Sequence, residues 1–205
     1  MSTPIIHIID DDASFRTAVT RLLRAAKYEV RGYASASEFL DTDSSAASGC
    51  ILLDLRMPGA SGFDLQQSLA QMEERLPIIF LTGHGDIPAS VRAMKAGAVD
   101  FLTKPVRRET LVRAVQNALE RDATERKSRA IVRELRSRYE TLTTREREVL
   151  AHVLSGKLNK QTAFDLGTSE RTIKAHRASI MDKLGVASVA ELARMAQDLG
   201  IEPAR

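Results

Sequence analysis

Four apolar runs of this chain end on groups that can handle a phosphate. Cys50–Leu53 ends on Asp54, Pro4–Ile9 on Asp10-Asp11-Asp12, Pro77–Leu81 on Thr82-Gly83-His84, and Ala98–Thr103 on Lys104-Pro105. Carboxylates crowded into a partly desolvated cleft repel one another, and a hard divalent cation relieves the repulsion. Mg²⁺ is the cation expected where one or two carboxylates act together with a phosphate. Asp54 then reads as a nucleophile that takes a phosphoryl group as an acyl phosphate. Lys104 supplies positive charge to the transferred oxygens and Thr82 a hydroxyl donor, because this transfer needs positioning and charge neutralisation above all. Taken singly, each residue has a plainer reading. An Asp after a strand is often a turn-former or helix cap, and Asp12 is expected to cap the helix that begins at Ala13. His84 reads as a solvated loop residue or as one that controls donor and water access. The order of all four groups at successive strand ends carries the chemistry.

The elements that must position these groups alternate along residues 1–120. Strands are predicted at Pro4–Ile9, Glu29–Tyr33, Cys50–Leu53, Pro77–Leu81 and Ala98–Thr103. Helices are predicted over Ala13–Ala26, from Ala36, over Gly62–Gln71, over Ile87–Ala96 and over Glu109–Leu119. Five βα units with apolar strands predict a doubly wound parallel sheet with helices on both faces. In such sheets ligands bind beyond the carboxyl ends of the strands, where the acids, Thr82 and Lys104 fall.

Composition narrows the class further. The 205 residues are 43% hydrophobic and 28% charged, which suits a folded chain of one or two domains. No apolar stretch approaches the roughly 20 residues of a membrane span. No basic-then-apolar leader opens the sequence, and the single cysteine, Cys50, reads as a core residue; a cytoplasmic location is expected. Residues 1–120 carry a net charge of −2 and residues 121–205 one of +5, a split that suits a polyanion partner for the second half or is simple surface scatter.

Residues 121–141 read as a helical linker. Arg121/Glu125, Asp122/Arg126 and Glu125/Arg129 stand at the spacing of an exposed helix, and no Gly or Pro occurs from 106 to 155. Ile131, Val132, Leu135, Tyr139 and Leu142 resume an apolar stripe, for which a partner helix in a dimer and the adjacent domain are equal candidates. Residues 142–205 predict four helices: from a cap at Thr143 or Thr144 to Leu154, from Asn159 to Leu166, from a Ser169 cap to Leu184, and from a Ser188 cap to about Leu199. Two short helices joined at Gly167 describe a helix-turn-helix. The third helix would present Lys174 and Arg177 to base edges, while Thr172, His176, Asn159 and Lys160 contact phosphates.

The sequences IIDDD, LLDLRMPG, LTGHGD and FLTKP resemble, in that order, the receiver domain of two-component response regulators. Residues 142–196 resemble the LuxR-type DNA-binding domain, and the whole is similar to the FixJ/NarL class of transcription regulators. The resemblance implies a flavodoxin-like receiver (1–120) followed by an all-α four-helix domain. It implies Asp54 as phosphoacceptor and Mg²⁺ held by Asp11, Asp54 and the backbone carbonyl of Arg56, with Asp10 acting through water. It implies Lys104 as the phosphoryl clamp, Thr82 as the switch hydroxyl and Phe101 as the switch aromatic. The implied partners are a sensor histidine kinase, double-stranded DNA and a second copy on phosphorylation, with RNA polymerase a further candidate. Thr162 and Thr168 stand where the relatives carry apolar residues, and Ala175 and Ala178 are small for a reading helix.

Two rival readings share these residues. A haloacid-dehalogenase-type phosphatase also uses an Asp nucleophile with a Thr and a Lys, but needs a second Asp two residues on; Arg56 stands there, so the acyl phosphate should persist and the chain is not expected to be an enzyme beyond slow self-dephosphorylation. The other is a DNA-binding protein whose receiver never takes phosphate.

Overall fold

The computed structural model describes residues 3–42, 48–71, 75–83 and 87–204. The chain divides into two compact units, Met1–Arg126 and Lys127–Arg205.

In the first unit the strands β1 (Ile5–Ile9), β2 (Glu29–Tyr33), β3 (Gly49–Leu53), β4 (Ile78–Thr82) and β5 (Asp100–Thr103) form one parallel sheet in the order β2-β1-β3-β4-β5. They alternate with α1 (Ala13–Ala25), α2 (Ala36–Leu40), α3 (Gly62–Ala70), α4 (Ile87–Lys95) and α5 (Arg108–Glu140). The apolar runs are continuous because both sheet faces are covered. Ile6, Ile8, Cys50, Leu52, Ile79 and Leu81 pack on Val19 and Leu23 of α1 and on Leu111, Val115 and Ala118 of α5. Ile9, Ile51, Leu53, Ile78 and Phe80 pack on Phe39, Leu65, Leu69 and Ala93 of α2, α3 and α4. Period-two alternation sends successive residues to opposite cores.

Strand register sets the functional edge. Ile9 lies beside Leu53, Phe80 beside Phe101 and Thr82 beside Thr103, so the residues that follow β1, β3, β4 and β5 emerge together. Gly49 admits this register: a Cβ there would stand 1.9 Å from the Ile5 carbonyl oxygen, so only glycine lets β3 start so close to β1. Cys50 is fully buried and burial pushes its thiol up to about 12, which fits a core residue.

Asp122 departs from the sequence reading. It is not solvated: only 2% exposed, it accepts the Gly49 N–H at 3.0 Å. A buried backbone donor at the start of a strand requires an acceptor, and α5 supplies it. The pair Arg121–Glu125 does form, at 2.7 Å.

The second unit carries α6 (Thr144–Leu154), α7 (Asn159–Asp165), α8 (Glu170–Leu184) and α9 (Val189–Leu199) around Leu142, Val149, Leu150, Ile173, Ile180, Leu184, Leu192 and Met195. Leu135 and Tyr139 of α5 pack on this core, so that part of the linker stripe is covered within the unit; Ile131 stays half exposed. Thr143, Ser169 and Ser188 cap α6, α8 and α9 through their side-chain oxygens. Among the described residues no helix is long and apolar enough to cross a membrane.

Candidate functional site

The acidic pocket forms at the carboxyl edge of the sheet. Asp10 and Asp11 follow β1, Asp54 follows β3, and one carboxylate oxygen from each lies within 4.8 Å of the others. Asp54 is placed from behind by backbone: its N–H donates to the Ile9 carbonyl at 2.8 Å, and a Cβ on Gly62 would meet the Asp54 carbonyl oxygen at 2.4 Å. Glycine at position 62 therefore lets α3 begin directly against the acidic residue. The Arg56 N–H donates to Asp54 Oδ1 at 3.3 Å, which turns the chain beyond the strand.

Lys104 enters from the end of β5. Its Nζ donates to Asp10 Oδ2 at 2.5 Å and to Asp54 Oδ2 at 2.8 Å. Asp10 is almost fully buried and Asp54 nearly so. Burial pushes the Asp10 carboxyl above its ordinary value, although the hydrogen bond from Lys104 works against this. Burial opposes the Lys104 charge too, but its bonds to the two carboxylates outweigh that and raise it overall. Three carboxylates thus face one ammonium. Oxygen donors at this separation, in excess of local positive charge, fit a small hard dication, and Asp10, Asp11 and Asp54 are the groups placed to supply them.

Thr82 closes β4 with its side chain buried, and its carbonyl accepts the Lys104 N–H at 2.8 Å. Phe101 is half buried, with its ring 6.0 Å from that of Phe80; Phe80 in turn lies 5.6 Å from Phe63, over which Arg92 of α4 sits at 4.2 Å. His84 lies outside the described residues. Asp12 caps α1 as expected, accepting from Ser14 N–H and Phe15 N–H at 2.8 and 3.1 Å. Two neighbours went unnoticed in the sequence. Arg16 Nη1 donates to the Asp10 carbonyl at 2.5 Å, and the Phe15 ring stands 4.1 Å from Lys104 Nζ.

In the second unit α8 turns Arg171, Lys174, Ala175 and Ala178 outward, with Thr172 also exposed in its first turn. Arg171 was not singled out from the sequence, although it stands one turn before Lys174. Arg177 does not share that exposed stripe. It is half buried on the flank, and its Nη1 donates to Asn159 Oδ1 at 3.1 Å. Ile173, Ile180 and Leu184 fix which side of α8 faces the core, and that orientation places Arg177 beside the start of α7. The structure thus brings Arg177 and Asn159 together and leaves Lys174 free to project. Lys160 is exposed on α7, and His176 is half buried on the other flank of α8.

A buried carboxylate holds α8 to α6. Glu146 accepts from Lys183 Nζ and the Ser179 hydroxyl, both at 2.7 Å, and from the Thr143 N–H at 2.8 Å. The Lys183 bond first, then the Ser179 and Thr143 bonds, hold its carboxyl down at about 2.

Residues 6–116 match the response regulator receiver domain family, and residues 140–196 match the bacterial regulatory proteins of the luxR family. The response regulator protein TmoT of Ectopseudomonas mendocina is 46% identical over 195 residues, covering 95% of this chain and 89% of TmoT. The transcriptional regulatory protein FixJ of Azorhizobium caulinodans is 41% identical over 199 residues, 97% of this chain and 94% of FixJ. Among solved structures, the response regulator StyR superposes with a TM-score of 0.81 at 42% identity, covering 96% of this chain and 99% of StyR.

Proposed function

The chain belongs to the response regulators that join a receiver to a LuxR-type DNA-binding domain, and from that premise we propose that Asp54 is its phosphoacceptor. Such a pairing of domains implies a histidine kinase as donor and DNA as target. The observation that carries the assignment is the position of Lys104, bonded at once to Asp54 and Asp10 at the mouth of the sheet. Asp54 follows β3, the middle strand of the sheet, and Asp10 and Asp11 follow its neighbour β1.

Asp11, Asp54 and the Arg56 carbonyl would hold Mg²⁺, with Asp10 acting through water, and the ion would supply charge neutralisation on the phosphoryl oxygens. Asp54 Oδ attacks phosphorus while Lys104 and the Thr82 hydroxyl meet the oxygens. Arg56, two residues after the nucleophile, cannot act as the general acid or base a phosphatase needs there, which supports a lasting acyl phosphate. As Thr82 turns toward the phosphoryl group, Phe101 moves inward from its half-buried place, and α4 is remodelled through Phe80, Phe63 and Arg92.

The apolar residues Ile87, Val91 and Met94 form an exposed stripe along α4, and this stripe supports dimerisation as the consequence. Two copies then present paired α8 helices to successive major grooves, with residues 121–141 connecting the receiver (1–120) to the DNA-binding domain (142–205). Lys174, Arg171 and the small faces of Ala175 and Ala178 meet the base edges, while Thr172, Lys160, His176 and the Arg177–Asn159 pair meet phosphates. A cytoplasmic location follows from a partner of genomic DNA, and RNA polymerase is the further partner such binding would serve.

Incubation with acetyl phosphate and Mg²⁺ tests the acceptor: one phosphoryl adduct on Asp54, absent in Asp54→Asn, is expected. Sedimentation with and without beryllofluoride then tests the dimer. An adduct elsewhere, or none, refutes the assignment.

A further inference from the structure

We propose that Phe15 is the positioning residue for Lys104: its ring is the wall against which the ammonium is pinned, and it sets how well that ammonium meets an arriving phosphoryl group. The inference rests on the reading of Asp54 as acceptor. An ammonium has three donors and no preferred plane. Two of the Lys104 donors are committed, to Asp10 Oδ2 and Asp54 Oδ2. The ring face of Phe15, 4.1 Å from Nζ, occupies a further side. That face carries the negative part of the aromatic quadrupole, so it holds the cation and keeps water off it. The Lys104 side chain is only 16% exposed.

The ring is itself held in place. Asp12 takes the Phe15 N–H at the start of α1, Arg16 ties the same turn to the Asp10 carbonyl, and Phe15 packs against the core shared by α1 and α5. The residue is thus anchored by the backbone that carries Asp10 and Asp11. One turn of chain presents both the carboxylates and the surface that aims the opposing charge.

In the transfer, a bond forms from Asp54 Oδ to phosphorus as the donor's bond to phosphorus breaks. With acetyl phosphate, acetate leaves carrying the electron pair. Lys104 stays protonated throughout. Its part is to leave Asp54 Oδ2 and turn to a phosphoryl oxygen, and the ring face lets it do so without being released to water.

Phe15→Leu keeps apolar bulk and removes the π face, whereas Phe15→Tyr keeps both. We expect Phe15→Leu to take phosphate from acetyl phosphate about three- to tenfold more slowly, with an unchanged Mg²⁺ dependence, and Phe15→Tyr to stay within about twofold of the parent. In the resting protein, the Lys104 side-chain protons should lie upfield under the ring current. They should move back in Phe15→Leu and remain in place in Phe15→Tyr. The proposal is overturned if Phe15→Leu reacts at the parental rate, if the Lys104 resonances ignore the ring, or if rate and Mg²⁺ affinity fall together in both variants. Absence of any adduct on Asp54 in the parent protein sinks the acceptor reading instead, and the resonance comparison still decides whether the ring holds the ammonium.

Discussion

His7 should make the receiver acid-sensitive. It sits in the middle of β1, fully buried, with Nδ1 3.1 Å from the Tyr33 hydroxyl and its ring between Tyr33 and Phe39 at centroid distances of 5.7 and 5.3 Å. Nε2 has no hydrogen-bond partner among the described residues. Burial first, and the Arg31 charge second, push the imidazole down from 6.5 to about 4. The folded state therefore excludes a proton that the unfolded chain accepts. The stabilisation from neutral His7 is fully present above pH 6.5 and is lost as pH falls toward 4. At about 1.36 kcal/mol per pKa unit, a shift of this size is worth about 3 kcal/mol. Between pH 7.5 and 5.0 the unfolded chain gains about 1.5 units' worth of protonation and the folded chain almost none, so about 2 kcal/mol should disappear. Urea titrations of the full chain, read by pulsed hydrogen exchange on peptides from β1 and β3, isolate this unit. His7→Leu starts from a lower baseline because Tyr33 loses its partner, but its pH slope should be shallower by that amount. Every other ionisable group is common to the two proteins, so the difference between their pH slopes reports His7. Parallel pH curves for the two proteins would refute the reasoning.

Glu146→Gln should destabilise the DNA-binding unit by about 1–2 kcal/mol at pH 7. The ceiling set by a carboxyl held at about 2 is higher, but Lys183 is a third exposed and water screens the pair. Because that carboxyl is depressed, the deficit should be present in full above about pH 4.5 and close as pH falls toward 2; hydrogen exchange of α8 peptides reads it, and a deficit that persists at pH 2.5 would contradict the charge argument. Thr162→Val should stabilise the same unit by about 1 kcal/mol, because the Thr162 hydroxyl is fully buried with no hydrogen-bond partner among the described residues; a lower urea midpoint would show that the hydroxyl is satisfied. Lys174→Ala should cost about 1–3 kcal/mol in DNA binding and blunt discrimination between sites, whereas Arg177→Ala should weaken all sequences alike and lower the salt slope by about 1. Titrations at several salt concentrations on two operators separate the two effects.

The sheet was legible because both of its faces are buried: uninterrupted apolar runs such as Cys50–Leu53 have few other folds to enter, and each ends on a group whose place then follows from topology. Caps were equally legible at Asp12, Ser169 and Ser188, since a short oxygen-bearing side chain before a helical run has one local use. What escaped was contact across long stretches of chain. Phe15 reads as an ordinary apolar helix position, and nothing within a turn of it announces Lys104. Asp122 reads as a solvated partner of Arg126, because the donor it satisfies, Gly49 N–H, lies 73 residues earlier. Arg177 follows Lys174 by three residues and so was grouped with it. The core stripe of α8 sets Arg177 on the flank, where it bonds Asn159, a contact that lies 18 residues away along the chain.

The charge balance of the pocket explains why its parts come as a set. Three carboxyl groups against one ammonium leave an excess of formal negative charge at the sheet edge, up to two charges. A dication would cancel that excess, and the pocket holding it would be formally neutral and open to an anionic donor. On the proposed acceptor role, transfer would convert the Asp54 carboxylate, with one charge, into an acyl phosphate with about two. The net gain is therefore about one negative charge, and it lies on new oxygens beyond the reach of the original carboxylate contacts. Neutralising that charge in place is what remains for Lys104 to do by moving and for Thr82 by turning. A pocket that already balanced its charge without movement would store phosphate and signal nothing.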